Sequence, residues 1–123
     1  MKFNDLYWHD SIIKNIIIDR SNPGEIDTVL FEIDWFDKGL GQLVFEDVYY
    51  VTMEMNFGVI APECIDSAFV ADENDDTLKR CYQKWGGLID DILLFCFVIK
   101  TISTDSEIKI IAKRFRVEKK LLQ

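Results

Sequence analysis

The sequence TVLFEIDWF, at residues 28–36, decides the class of fold. Apolar and polar side chains alternate along it, and the apolar set is Val29, Phe31, Ile33 and Trp35. A period of two places those four side chains on one face of a strand and the acidic ones on the other. The stretch therefore predicts a half-buried strand in an antiparallel sheet.

The segments on either side of it continue the sheet. Residues 11–20 are rich in β-branched isoleucine, which favours a strand, and Pro23-Gly24 then predicts a type II turn. Residues 42–57 alternate again, but the alternation breaks at Asp47-Val48. We expect a bulge at that break, dividing a long strand in two.

The middle of the chain has a different pattern. Residues 58–70 look irregular, with a short helical turn that Pro62 could open. A helix follows, ending at Gly86-Gly87, because apolar residues recur at helical spacing: Leu78, Cys81, Tyr82 and Trp85. We expect this stripe to pack on one face of the sheet.

The last third returns to strands. Residues 92–101 are almost continuously apolar, which predicts a strand covered on both faces. Residues 107–112 alternate as its hairpin partner, Phe115 and Val117 extend that strand, and residues 118–123 are expected to fray. Together these segments predict a single α+β domain over residues 1–123, with a strongly twisted or curled antiparallel sheet of five to seven strands and one principal helix packed on it.

Charge is unevenly distributed along the 123 residues, whose net charge is −8. Residues 39–78 contain nine acidic side chains and no basic one, whereas residues 79–123 contain ten basic and five acidic ones. An acidic chain of this kind is not a general nucleic-acid binder, which needs clustered lysine and arginine. The asymmetry favours either simple solubility or a surface that meets a basic partner.

Three cysteines without CxxC spacing, Cys64, Cys81 and Cys96, indicate neither a disulfide framework nor a zinc site. The chain has no signal-peptide pattern at its start and no apolar run long enough to span a bilayer. We therefore expect a cytoplasmic protein that does not enter the membrane, with no cofactor and no metal.

Three alternatives remain open from the residues alone. A carboxylate-dependent metal enzyme would use Glu32, Asp34, Glu107 and Lys109, with Asp90 or Asp91 as a further acid. A small-ligand-binding sheet would line a cavity with Trp35, Phe45 and Tyr49. A self-associating protein would use a long exposed sheet edge; the oligomeric state itself is not predicted.

The segment Leu6-Tyr7-Trp8-His9-Asp10-Ser11 stands directly before the first strand. It combines two large aromatic side chains, a histidine and a short acid. One interpretation is an N-terminal plug, in which Tyr7 and Trp8 cap the core. The other is an element of a binding surface, since tyrosine and tryptophan are enriched where proteins bind one another.

Trp8-His9-Asp10-Ser11, Phe45-Glu46-Asp47-Val48 and the late aromatic strand and hairpin resemble small bacterial families of unknown or immunity function. That resemblance implies a non-catalytic protein that binds and neutralises a cognate toxin, which in such systems is often basic. We predict partner binding through the acidic segment and the N-terminal motif, at Glu63, Asp66, Asp72, Glu73, Asp75, Asp76, Trp8, His9 and Asp10.

Overall fold

The computed structural model describes residues 1–119. Within them lie one α-helix, α1 (Asp76–Lys84), and six strands: β1 (Ile12–Asn22), β2 (Ile26–Trp35), β3 (Gly39–Glu54), β4 (Glu63–Val70), β5 (Phe95–Thr101) and β6 (Glu107–Lys119). All neighbouring strands are antiparallel, and the sheet closes on itself in the order β1-β2-β3-β6-β5-β4. The predicted α+β class, curled antiparallel sheet and single principal helix are confirmed.

The first hairpin forms as the sequence predicts. The four alternating apolar side chains of β2, Val29 to Trp35, point into the core and are buried. In the turn before them, the amide of Glu25 donates to the carbonyl of Asn22 at 3.0 Å. Gly24 has φ of +88°, the left-handed value that the third position of a type II turn requires.

The expected bulge in β3 is present, but it does not divide the strand, which runs without interruption from Gly39 to Glu54. Asp47 adopts φ of +53°, and the register against β6 shifts between Val48 and Tyr50. Phe45 and Val48 therefore both face the interior, while Tyr49 turns to the outside of the sheet. β3 therefore contributes side chains both to the interior of the sheet and to the apolar layer on its outer face.

The prediction of irregular structure is confirmed for residues 58–62 but wrong for residues 63–70, which form β4. The helical turn expected to open at Pro62 is absent, because Glu63 begins that strand. The register of β4 against β5 shifts between Ile65 and Ser67, so the inward residues are Ile65 and Ala68, three apart. Because of this register shift, the apolar residues of β4 do not alternate with a period of two, and the sequence pattern did not indicate a strand. At the other end of the chain, β6 includes residues 118 and 119, which we expected to fray, and residues 120–123 lie outside the described part.

The helix packs outside the sheet, against a second apolar layer. Leu78 and Cys81 contact side chains on the outer face of β5 and β6, including Cys96, Val98 and Ile111. Since Phe97 and Ile99 face the interior, β5 is covered on both faces as predicted. Trp85 departs from the expected stripe and remains largely exposed. In residues 1–119 no helix has the length and apolar character to cross a lipid bilayer.

A tyrosine fixes the connection between the helix and the sheet. The hydroxyl of Tyr82 donates to the carbonyl of Ile92 at 2.6 Å and accepts from the amide of Leu94 at 3.0 Å. These two bonds pair backbone groups that would otherwise have no partner in an irregular loop. The loop is thereby held against the start of β5.

One end of the interior is filled from outside the sheet by a short 3-10 turn, Phe3–Asp5, which we call the N-terminal turn. The Phe3 ring is 2% exposed and lies with its centroid 4.6 Å from that of Trp8, 4.9 Å from Phe97 and 5.1 Å from Phe115. The indole nitrogen of Trp8 donates to the carbonyl of Phe3 at 2.8 Å. Trp8 thus acts as the predicted plug, together with Phe3.

Closure of the sheet is uneven. The longest ladder joins β3 to β6, from Gly41↔Lys119 to Glu54↔Glu107. The ladder between β1 and β4 has only two residue pairs, Ile12↔Cys64 and Ile13↔Glu63. From Lys14 onward, β1 has no strand partner on that side within residues 1–119.

Replacing Phe3 by alanine should lower the free energy of unfolding by about 3–5 kcal/mol, because it removes a buried ring and leaves a cavity. Urea denaturation followed by circular dichroism measures the change. Phe57→Ala is the matched control, since Phe57 is 84% exposed and the same deletion there should cost less than about 0.5 kcal/mol. Equal losses in the two variants would contradict the role assigned to Phe3.

Candidate functional site

The predicted partner-binding residues divide into groups along β4. Asp66 lies beside the N-terminal motif, whereas Asp72 and the acids after it lie beyond the other end of the strand. Six residues separate Asp66 from Asp72, which at about 3.3 Å per residue is at most about 20 Å.

The first group lies beside a pair of exposed aromatic rings. Tyr7 and Phe36 stack with centroids 5.3 Å apart and planes 13° from parallel, although the side chains are 50% and 62% exposed. Ser11, which is fully buried, holds them together: its hydroxyl donates to the carbonyl of Tyr7 at 2.7 Å and accepts from the amide of Phe36 at 3.0 Å. Sequence reasoning missed Phe36; its only signal was a large apolar residue at the end of a strand.

Two carboxylates and the histidine lie beside these rings. His9 Nδ1 is 3.2 Å from the carbonyl oxygen of Asp66 and 3.8 Å from its carboxylate, and His9 Nε2 is 3.7 Å from the carboxylate of Asp10. Because a carbonyl only accepts, the proton of a neutral His9 belongs on Nδ1. We call Tyr7, His9, Asp10, Phe36 and Asp66 the aromatic–carboxylate surface.

This surface rests on β4 through backbone hydrogen bonds. The amide of Asp10 donates to the carbonyl of Ile65 at 3.0 Å, and the amide of Ile65 donates to the carbonyl of Ser11 at 2.8 Å. Asp10 itself has φ of +68°, a conformation that aspartate tolerates better than most residues. A shallow pocket of ≈ 340 Å³, lined partly by Tyr7, His9 and Asp66, opens here. Trp8 lies beneath it and is 5% exposed, so it supports the surface without presenting its ring to a partner.

Cys64 adjoins the same carboxylates. Its thiol donates to Asp10 Oδ1 over 3.8 Å. Burial, and then the negative charges of Asp10 and Asp66, raise the pKa of the Cys64 thiol above its ordinary value. The arrangement keeps the thiol protonated, which is the opposite of what a nucleophilic cysteine requires.

Glu63 is part of a structural network of hydroxyl groups. Its carboxylate bonds to the hydroxyl of Thr104, which also lies 2.9 Å from the hydroxyl of Thr101 and 3.0 Å from that of Ser106. A hydroxyl has one proton, so Thr104 donates to Glu63 and accepts from the other two. The network fixes the turn between β5 and β6, and Glu63 is occupied with it.

Asp75 is similarly occupied. Its carboxylate caps α1 by accepting from the amide of Leu78 at 3.1 Å, and it pairs with Lys109 at 3.1 Å. Burial raises the pKa of Asp75, but the Leu78 amide and the Lys109 ammonium lower it more, so the net shift is downward. Burial, and then the charge of Asp75, raise the pKa of the neighbouring Cys96 thiol to about 12.

The remaining acids of the segment stay exposed. Asp72, Glu73 and Asp76 surround the start of α1 and form no ion pair within residues 1–119. Elsewhere the basic C-terminal third does neutralise acids of the middle third: Arg114 pairs with Asp47 at 2.7 Å and Arg116 with Glu46 at 3.2 Å. Internal pairing therefore reduces the acidic patch without removing it.

The side chains of the metal-enzyme alternative are used in separate contacts. Glu107 pairs with Lys100 at 3.8 Å, while Lys109 pairs with Asp75 on the helix. Glu32, next to Asp34 on β2, accepts from Asn15 at 3.1 Å. In the described chain, no three or more histidine, cysteine, aspartate or glutamate side chains are placed to hold a metal ion.

The ligand-cavity alternative requires Trp35, Phe45 and Tyr49 to face open space. Trp35 and Phe45 are instead buried among other core side chains and do not line the groove of ≈ 630 Å³ on which Tyr49 lies. Tyr49 does line that groove, opposite Trp85, with ring centroids 6.0 Å apart. Only one of the three predicted rings therefore faces open space.

No protein-family model matches the chain, and no curated protein matches it significantly. The resemblance of the Trp8–Ser11 motif to immunity families therefore stays a prediction that rests on the quoted motifs.

The Cys64 thiol should react slowly with Ellman's reagent in the folded protein at neutral pH, because its raised pKa leaves little thiolate. The rate should rise when urea unfolds the chain. A Cys64→Ser variant identifies which part of the signal belongs to this residue. Faster reaction of Cys64 in the folded state than in urea would contradict the electrostatic account.

Asp75→Asn should lower the free energy of unfolding by about 1–3 kcal/mol at neutral pH, because it leaves Lys109 without its counter-ion. The folded-state pKa of Asp75 is depressed, so the stabilisation is complete above the ordinary carboxyl value of 3.8 and is lost as pH falls through the lower folded value. Denaturation of both proteins across this pH range should show the difference shrinking in acid. Glu73→Gln is the control for removing an exposed acid nearby, and a pH-independent difference for Asp75→Asn would contradict the assignment.

Proposed function

We propose that this chain is a non-catalytic protein-binding domain, an immunity-like protein that neutralises a basic toxin. The observation that carries the proposal is the aromatic–carboxylate surface. Its two stacked rings are solvent-exposed although they are large and apolar, and carboxylates lie on one side of them. Protein interfaces combine aromatic anchors with a polar rim in this way.

Preorganisation supports the proposal. The Tyr7–Phe36 stack is held by the buried Ser11 hydroxyl, and the motif around it is bonded to β4. Side chains fixed before binding lose less conformational entropy when a partner docks. The motif that suggested the family resemblance is therefore also the motif that builds this surface.

Charge supports a basic partner. Asp10 and Asp66 lie at the surface itself, and Asp72 is six residues beyond Asp66, which places it at most about 20 Å away. A standard interface covers about 800 Å² per partner, a patch about 32 Å across, so one partner can span Asp66 and Asp72. The rings would supply contact energy, while the acids would steer association.

The test titrates this chain by calorimetry with the purified products of the genes that flank its own, each taken as a candidate toxin. Tyr7→Ala should weaken binding by about 2 kcal/mol or more if the ring is an interface anchor. Asp66→Asn should slow association and reduce its dependence on salt, whereas Asp91→Asn, the same change at an exposed acid in the connection between α1 and β5, should do neither.

Growth provides the second measurement. Co-expression of the wild-type chain should rescue cells from the toxin, and Tyr7→Ala should rescue them less. Undiminished binding and rescue by both surface variants would exclude this surface. Absence of any interaction with either flanking product, at low salt as well as high, would count against the immunity function.

A further inference from the structure

A second groove lies at the end of the barrel that the N-terminal turn closes. β6 loses β5 as a neighbour after the pair Phe95↔Ala112, although it continues along β3 to Lys119. The N-terminal turn occupies the opening and is tied to the end of β4, where the amide of Val70 donates to the side chain of Asn4 at 2.9 Å. Between the turn and β6 remains a groove of ≈ 570 Å³, a size within the range of about 300–1,000 Å³ of small-molecule sites.

The floor of this groove is aromatic. Phe3, Phe97 and Phe115 line it, with centroid separations of 4.9 to 5.7 Å. Phe3 and Phe97 are almost fully buried, whereas Phe115 and Phe95, which lies 6.2 Å from Phe97, are partly exposed. Phe95 and Phe115 therefore offer most of the phenylalanine surface that an apolar group can contact.

The rim of the groove is basic in a chain whose net charge is −8. Arg114 is already paired with Asp47, but the side chains of Lys2 and Lys113 have no hydrogen bond or ion pair within residues 1–119. Lys113 is half-buried at the groove wall, and among residues 1–119 the one acid that lines the groove is Asp5. A half-buried ammonium without a counter-ion is a position where an anionic ligand gains a charge-assisted contact.

We propose that this groove binds an organic carboxylate with an apolar body, the body lying on the phenylalanine floor and the carboxylate meeting Lys113, with Lys2 nearby. The aromatic floor selects the body and the unpaired lysines select the charge. The groove shares no residue with the aromatic–carboxylate surface, so this proposal does not depend on the proposed protein partner.

Calorimetric titration with decanoate, below micelle-forming concentrations, tests it in the full chain. Decanoate should bind, while acetate, which lacks the body, and decyltrimethylammonium, which reverses the charge, should each bind at least roughly tenfold more weakly. Lys113→Glu should weaken decanoate binding by roughly tenfold or more, and Lys113→Met should weaken it less.

Lys79→Glu is the matched control. It makes the same charge change at an exposed lysine of α1, so it should leave the affinity unchanged, and circular dichroism checks that both variants are folded. If Lys79→Glu and Lys113→Glu weakened decanoate binding equally, the effect would come from the overall charge of the protein, and the proposed site would be wrong. Binding of decyltrimethylammonium as tight as that of decanoate, or no heat with decanoate, would overturn it as well.

Discussion

The contact on which the rest of the structure depends is made by Phe3, a residue outside the sheet. The interior of a six-stranded barrel must be filled by side chains, and at one end the strands alone do not fill it. Phe3 supplies the missing ring, and Trp8 holds its carbonyl in place. Phe3 and Trp8 are fixed in the core, and β1 begins only four residues after Trp8. The backbone between them therefore has little conformational freedom, and the position of the aromatic–carboxylate surface is set by how Phe3 and Trp8 pack.

The two interpretations of the Leu6–Ser11 segment are therefore compatible. Trp8 faces the core and Tyr7 faces solvent, although the two are neighbours in the sequence. Ser11 joins the two roles, because its buried hydroxyl bonds to Tyr7 and to Phe36. The Leu6–Ser11 segment therefore closes the core with Trp8 and forms part of the aromatic–carboxylate surface with Tyr7.

Sequence patterns predicted the elements whose periodicity is unbroken. β2 and α1 were found from regular spacing, and the bulge of β3 from a single break in a long alternation. β4 was missed because its register shift separates Ile65 and Ala68 by three residues, a spacing typical of neither strand nor loop. The site was predicted only in part, since pairing partners such as Thr104 for Glu63 and Lys109 for Asp75 are distant in sequence.

The ladder between β3 and β6 has a consequence for how the chain acquires its fold. It is the longest ladder in the barrel, yet its strands are separated by β4, α1 and β5 in the sequence. Contacts of this kind slow folding, because a large loop must close before they form. During synthesis β3 has an open edge until β6 has been made, and the isoleucine-rich β1 has an open edge as well. The newly made chain is thus exposed to aggregation until β6 pairs with β3.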